Sequence, residues 1–215
     1  MQSVKTPIKT IPLENATRAR LRFQHGAGQL TVRSGSDPTQ LLGGDLGEHA
    51  ELAVRREGEQ VDVVLRPVAN QWPAWIDPTY WWGPRRPFDW DVQLNPNVQL
   101  ALELETGASR SSLDLSQLKV TEVILKTGMS ATEVTLPAAA GFTAVEIHAG
   151  LAEVDLRIPP GVAATIRGHL GLAALNVDRA RFPRTLDGYE SPDFATATNR
   201  IQLRVEGGLG TVNVT

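Results

Sequence analysis

The segments "LELETGASRSSLDL" (102–115), "VILKTGMSATEVTL" (123–136), "VEIHAGLAEVDL" (145–156) and "TIRGHLGLAALNV" (165–177) share one plan. Each is an alternating strand, a glycine, a short polar or small stretch, and a second alternating strand. The glycines are Gly107, Gly128, Gly150 and Gly171, spaced 21, 22 and 21 residues apart. A fifth copy, "LRVEGGLGTVNV" (203–214), is anchored at Gly208 after an insertion, and a sixth, "LRFQHGAGQLTV" (21–32), surrounds Gly26. Alternation with period two denotes half-buried strands. Before the glycine, Leu102 and Leu104 match Val123 and Leu125, then Val145 and Ile147, and are expected to point inward. After it, Leu113 and Leu115 are matched with Val134 and Leu136, Val154 and Leu156, Leu175 and Val177, and Val212 and Val214. The residues between them, Asp114, Thr135, Asp155, Asn176 and Asn213, are expected to face solvent.

A unit of this size cannot bury its apolar face alone, so neighbouring units must stack. The expected fold is all-β: a stacked-strand, β-solenoid-like ladder with a repeat of about 21 residues and strands about 4.8 Å apart. The glycines belong at corners, where a positive φ or a close backbone approach is needed. Pro137, Pro159 and Pro160 fall between units, where proline removes no ladder hydrogen bond. The alternative is a sandwich of antiparallel hairpins with accidental similarity. Residues 1–14 read as an N-terminal extension and 15–215 as one domain. That domain comprises N-terminal strands (15–69), a Trp- and Pro-rich insertion (70–90) and the repeat ladder (91–215). Within the first part, "GEHAELAVRREGEQVDVVLRP" (47–67) reads as a hairpin.

The chain has 215 residues, 41% hydrophobic and 21% charged, which suits a globular protein with a substantial core. A net charge of −3 gives no bulk electrostatic case for nucleic acid. With no cysteine, disulfides, thiolate metal sites and thiol nucleophiles are excluded. The opening "MQSVKTPIKTIPLENATRAR" has no apolar signal-peptide core and no window reaches the length of a membrane span, so the expectation is a soluble chain.

The recurring unit of glycine, Leu or Ala, then Val-Asp/Asn-Leu/Val resembles the toast-rack domain, the soluble part of LiaF-like and adhesin-like bacterial envelope proteins. The ending "YESPDFATATNRIQLRVEGGLGTVNV" (189–214) and the opening "ATRARLRFQHGAGQLTVRSGSDPTQLLGGDL" (16–46) carry the same resemblance. It covers residues 15 to 50 and 95 to 215. It implies an all-β stack attached to transmembrane helices or serving cell-envelope stress systems, hence an envelope or membrane-associated location. Those helices are absent from this sequence, and the family supplies no catalytic motif.

Two histidines, His148 and His169, sit two residues before Gly150 and Gly171, in the slot that also holds Glu105 and Lys126. Stacking in register predicts one surface column, with Glu206 as a fifth member. A metal site on the two histidines competes with a solvated charge ladder, and the ladder is preferred because no third ligand is fixed by spacing. Asp114 and Asp155 are expected two rungs apart in another column, about 9–10 Å, a separation that suits inverting glycoside hydrolysis. They alternate with core residues on an open face, so solvated acids are the better reading. No nucleophile, metal or cofactor site is expected. The expected function is a non-enzymatic interaction or scaffold domain. The alternatives are a glycan-binding, adhesin-like module and, third, a polysaccharide-active enzyme.

All five tryptophans fall in "NQWPAWIDPTYWWGPRRPFDW" (70–90), although aromatic residues are only 6% of the chain. Its four prolines forbid a long helix or central strand. Three roles compete: a cap over an open end of the stack, a protein contact, and a membrane-interface tip, with glycan stacking as a variant of the second. Trp72, Trp75 and Trp90 are assigned to the cap, and Tyr80, Trp81, Trp82, Arg85 and Arg86 to contact with a partner or membrane.

Overall fold

The computed structural model describes residues 8–47, 50–68 and 88–215. They hold no helix and fourteen strands. The first six are β1 (Ile8–Pro12), β2 (Arg18–Ser34), β3 (Gln40–Asp45), β4 (Ala50–Glu57), β5 (Gln60–Pro67) and β6 (Trp90–Leu94). Then come β7 (Gln99–Asp114), β8 (Lys119–Thr127), β9 (Ala131–Thr135) and β10 (Phe142–Arg157). The last four are β11 (Ala163–Leu170), β12 (Ala174–Val177), β13 (Tyr189–Glu190) and β14 (Arg200–Val214).

Four long strands, β2, β7, β10 and β14, turn a corner at their glycines and contribute to two faces. Their first halves build one face in the order β4-β5-β2-β7-β8-β10-β14-β11-β13. Their second halves build the other, β1-β3-β6-β2-β7-β9-β10-β14-β12. Pairing is parallel through the middle of each face, as a stack of equivalent units requires, and antiparallel where β1, β3, β4 and β13 join at the ends. Ile8–Pro12, at the end of the expected extension, form the edge strand of the second face.

The core lies between the faces. On the first face Leu21, Leu102, Val123, Val145, Leu203 and Ile166 align across six rungs, all buried. On the second, Val32, Leu113, Val134, Leu156, Val214 and Val177 do the same, with Val177 half-buried at the end. Burying each such aliphatic side chain contributes about 1.5–3 kcal/mol.

Two expectations need correction. The fifth unit does not follow the fourth in space: β14 inserts between β10 and β11, pairing parallel with both. The second-strand register also differs by two residues after Gly150. Leu156, not Val154, aligns with Val134 and Leu113, while Val154 aligns with Thr132 and Ser111. The constant quantity is the count from the glycine, six residues in every unit, so matching by the look of "VDL" and "LDL" shifts the units of Gly150, Gly171 and Gly208 by two residues against those of Gly107 and Gly128.

Close approach constrains Gly107 most, and Gly128 and Gly150 less, whereas Gly26, Gly171 and Gly208 have room for a Cβ. A Cβ on Gly107 would stand 2.5 Å from the Gly26 carbonyl oxygen, one on Gly128 3.3 Å from that of Gly107, and one on Gly150 3.2 Å from that of Thr127. None of the three has a positive φ; that conformation occurs nearby at Gly28 (+96°) and Gly210 (+119°).

Just before the first corner, His25 is 2% exposed and its ring packs edge-on against Trp90, the first residue of β6, with centroids 4.8 Å apart. Its Nε2 donates to the Phe88 carbonyl at 2.8 Å, which fixes the neutral tautomer and leaves Nδ1 without a partner among the described residues. Burial holds this imidazole below the ordinary histidine range, with the Phe88 hydrogen bond and the Asp89 charge opposing.

Three outcomes are expected from urea melts. Val145→Asp and Val154→Asp each bury an unpaired charge and should prevent folding or cost several kcal/mol, whereas Asp155→Ser, on the outer face, should change stability by no more than about 0.5–1 kcal/mol. Gly107→Ala forces a carbonyl to move and should cost about 1–3 kcal/mol, while Gly208→Ala, whose nearest atom is at 3.7 Å, should be neutral or stabilising by up to about 1 kcal/mol. Because the folded-state pKa of His25 lies below its unfolded value, its contribution is complete above about pH 6.5 and diminishes as pH falls below that. The parent should therefore lose more stability between pH 7.5 and pH 5 than His25→Gln does; parallel slopes would show that His25 does not titrate in this window.

Candidate functional site

Seen from outside, the corner carries three adjacent stripes. The first is the column two residues before the glycines: Gln24, Glu105, Lys126, His148, Glu206 and His169 in successive rungs. Two adjacent bases, Lys126 and His148, lie between the acids Glu105 and Glu206. Lys126 Nζ reaches Glu103 at 2.8 Å and Glu105 at 3.6 Å, and Gln24 donates to Glu105 at 2.9 Å. Arg22 closes on Glu103 from the other side at 2.6 Å. The hydrogen bond from Lys126, joined by the Arg22 fork, holds Glu103 below the ordinary carboxylate range, and the same bond raises Lys126.

His148 places Nε2 3.1 Å from Glu146 and Nδ1 3.3 Å from Glu206. The two histidines are not neighbours. Glu206 of the inserted β14 stands between them in the column, with His148 on one side and His169 on the other. No group of three or more potential His, Cys, Asp or Glu ligands converges among the described residues. The two aspartates do not share a column either. Asp114 aligns with Thr135 and Arg157, whereas Asp155 aligns with Glu133 and Asn213. Asp155 instead ends a polar ladder, accepting from Asn213 at 2.7 Å, which accepts from Asn176 at 2.8 Å. The carboxylate pair that motivated a glycoside-hydrolysis reading is therefore not assembled.

The second stripe is the floor of the corner. Gly26, Gly107 and Gly128 expose backbone in a shallow groove of about 470 Å³, walled by Glu105 and Lys126. Pro67, the last residue of β5, and His25, which holds Phe88, also line it. Both roots of the aromatic insertion are thus at this groove. Trp90 is buried in β6. Trp72, Trp75, Tyr80, Trp81, Trp82, Arg85 and Arg86 lie outside the described residues.

The third stripe was not foreseen. The residue after each glycine points outward, and these are Ala27, Ala108, Met129, Leu151, Leu209 and Leu172. Ala27 aligns with Ala108 and Leu151 with Leu209, and the amides of Leu151 and Leu172 bond to Gly128 and Gly208 in the neighbouring rungs. Met129 is 64% exposed, Leu151 53%, Leu209 47% and Leu172 85%. Four large aliphatic side chains therefore form an uncovered ridge. The signal was present as a recurring Gly-aliphatic pair, but alternation accounts only for the strands on either side of it.

Comparison with known proteins bears on the fold. Over 97% of both chains the structure resembles that of a candidate cell-adhesion protein from Clostridium sporogenes ATCC 15579, with a TM-score of 0.80 and 18% identity. A candidate adhesin from Bacteroides fragilis NCTC 9343 aligns over 99% of this chain and 98% of its own, with a TM-score of 0.38 and 9% identity, too remote to support an argument. No curated protein matches the sequence significantly. Residues 1–157 match the family described as the N-terminal domain of toast_rack, DUF2154. With its glycine corner, two-faced stack and this match over most of its length, the chain belongs to the toast-rack family.

Proposed function

We propose that the chain is a non-enzymatic interaction and scaffold domain of the bacterial cell envelope, which grips a protein partner or membrane surface along its glycine corner. The ridge of Met129, Leu151, Leu209 and Leu172 carries this reading. Exposed aliphatic side chains in consecutive rungs mark contact surfaces, since an isolated soluble domain gains nothing by stacking them in water. The envelope assignment is supported by family membership, and the cell-adhesion description of the Clostridium sporogenes protein agrees with it in kind. Tyr80, Trp81, Trp82, Arg85 and Arg86 belong to the same contact region in this reading. Their segment is rooted at the groove beside the ridge, and adjacent Trp81 and Trp82 on an extended backbone cannot both enter one core. Trp72, Trp75 and Trp90 serve as the cap. A second reading, glycan binding, draws on the same aromatic segment, whose described roots Pro67 and Phe88 lie at the open groove.

A photo-crosslinking residue placed at Leu151 or Trp81, with Asp155 on the polar face as control, tests the proposal in envelope preparations from cells that make the protein. Adducts from Leu151 and Trp81 but not Asp155 are expected, with a protein or lipid as the captured species. Glycan adducts would install the second reading, and silence at both positions would overturn both. Leu151→Ser with Leu209→Ser should abolish capture from Trp81 while shifting stability by no more than about 1 kcal/mol, since both side chains are already half in water.

A further inference from the structure

The end of the stack at β11 is only partly closed. The short strand β13 pairs antiparallel with β11, but only at Thr165 and Ile166. The chain then turns back: Thr185 bonds to the Gly188 carbonyl, and Arg184 bridges Tyr189. Beyond Ile166, the outer edge of Arg167–Leu170 has no strand beside it among the described residues. Between this edge and the turn lies a cleft of about 760 Å³, with Leu170 and Leu175 half-buried in its floor and Leu186 fully exposed at its lip.

The vacant position has defined side-chain requirements. Gly168 occupies the core column that holds Phe23, Leu104, Leu125, Ile147 and Val205 in the other rungs, and Leu175 Cδ2 leans to within 2.8 Å of where its Cβ would be. An inward side chain on an added strand would meet Leu170 and Leu175 there. Outward, the two flanking columns end on unmatched bases. His169 ends its column beside Glu206, which already engages His148, so an acid on an added strand would give His169 a partner of its own. Arg167 stands directly beside Arg204, and like charges on adjacent strands repel. Arg184 adds a third base across the cleft against a single acid, Asp187. Among the described residues, neither Arg167 nor Arg184 has an ion pair.

We propose that the bare β11 edge, Arg167–Leu170, is a strand-addition site for an extended acidic segment of a partner protein, with carboxylates opposite Arg167 and His169 and an apolar side chain between them. Backbone pairing to the edge supplies affinity, and the alternating acidic-apolar pattern supplies selectivity. The site is separate from Leu151 and Leu209, so this proposal and the ridge proposal can fail independently.

The probe is an acetylated, amidated hexapeptide of threonine, glutamate, valine, glutamate, isoleucine and threonine. The control has lysine at both glutamate positions. Titration into the full chain, followed by amide chemical shifts, should perturb residues 167–170 with the acidic peptide, and the lysine peptide should bind about tenfold more weakly. Arg167→Glu with His169→Glu, both exposed, should keep the parent's melting temperature within about 2–4 °C and reverse that preference. Equal binding of both peptides, or no perturbation at 167–170 at millimolar peptide, would overturn the proposal. So would concentration-dependent self-association that the double substitution abolishes while neither peptide binds, because the occupant would then be a second copy of the chain.

Discussion

Everything in this molecule depends on how closely backbones approach at the corner. Adjacent rungs come so near that a Cβ on Gly107 would stand 2.5 Å from a carbonyl oxygen of the rung below. Strands in a sheet can ordinarily slip by two residues and keep the same side chains inside, because the side-chain period is two. A corner that excludes a side chain at Gly107 and is narrow at Gly128 and Gly150 opposes that slip. The middle units are pinned there, and the positions on either side follow by counting. Six residues on, Val32, Leu113, Val134, Leu156, Val214 and Val177 meet in one column.

The same pinning organises the outside. Lys126 sits between Glu103 and Glu105, and Asn213 between Asp155 and Asn176, because their rungs cannot shift. Exposed pairs of this kind contribute little stability each, about 0–1 kcal/mol. Their effect is larger as discrimination: in a stack of similar units, the wrong neighbour presents like charge to like charge. Arg167 beside Arg204 departs from that pattern where the stack ends, as Glu133 beside Asp155 does within it.

The strands, their inward faces and the corner glycines were legible in the sequence because alternation and spacing are local, repeated signals. What was not legible was non-local. Nothing in the order of units places residues 203–214 between 145–156 and 165–177, since equal spacing implies sequential stacking and only a three-dimensional pairing reveals the insertion. That single displacement separates His148 from His169. The aspartate register failed for another reason: the eye aligned "VDL" with "LDL", whereas the backbone aligned distances from glycine. His25 escaped because histidine reads as a surface residue. Its slot holds Thr106, Thr127 and Ala149 in other units, all buried. The ridge escaped because each aliphatic residue is unremarkable alone and becomes a surface only when six rungs align.

The threading of β14 sets a timetable for biosynthesis. A strand made after β11 and β12 must lie between them and β10, paired on both sides over nearly its whole length. A nascent chain can stack its rungs as far as β10 while it is still being extended. The direct pairing of β11 onto β10, the step that sequence order invites, would close the slot that β14 needs. The finished arrangement therefore requires β11 and β12 to wait, or to let go, until the final strand is available. Assembly of this half is governed by contacts distant in sequence, the slow class of folding events. During that interval the inner edge of β10 is an unpaired strand edge, the feature through which incomplete chains associate with one another.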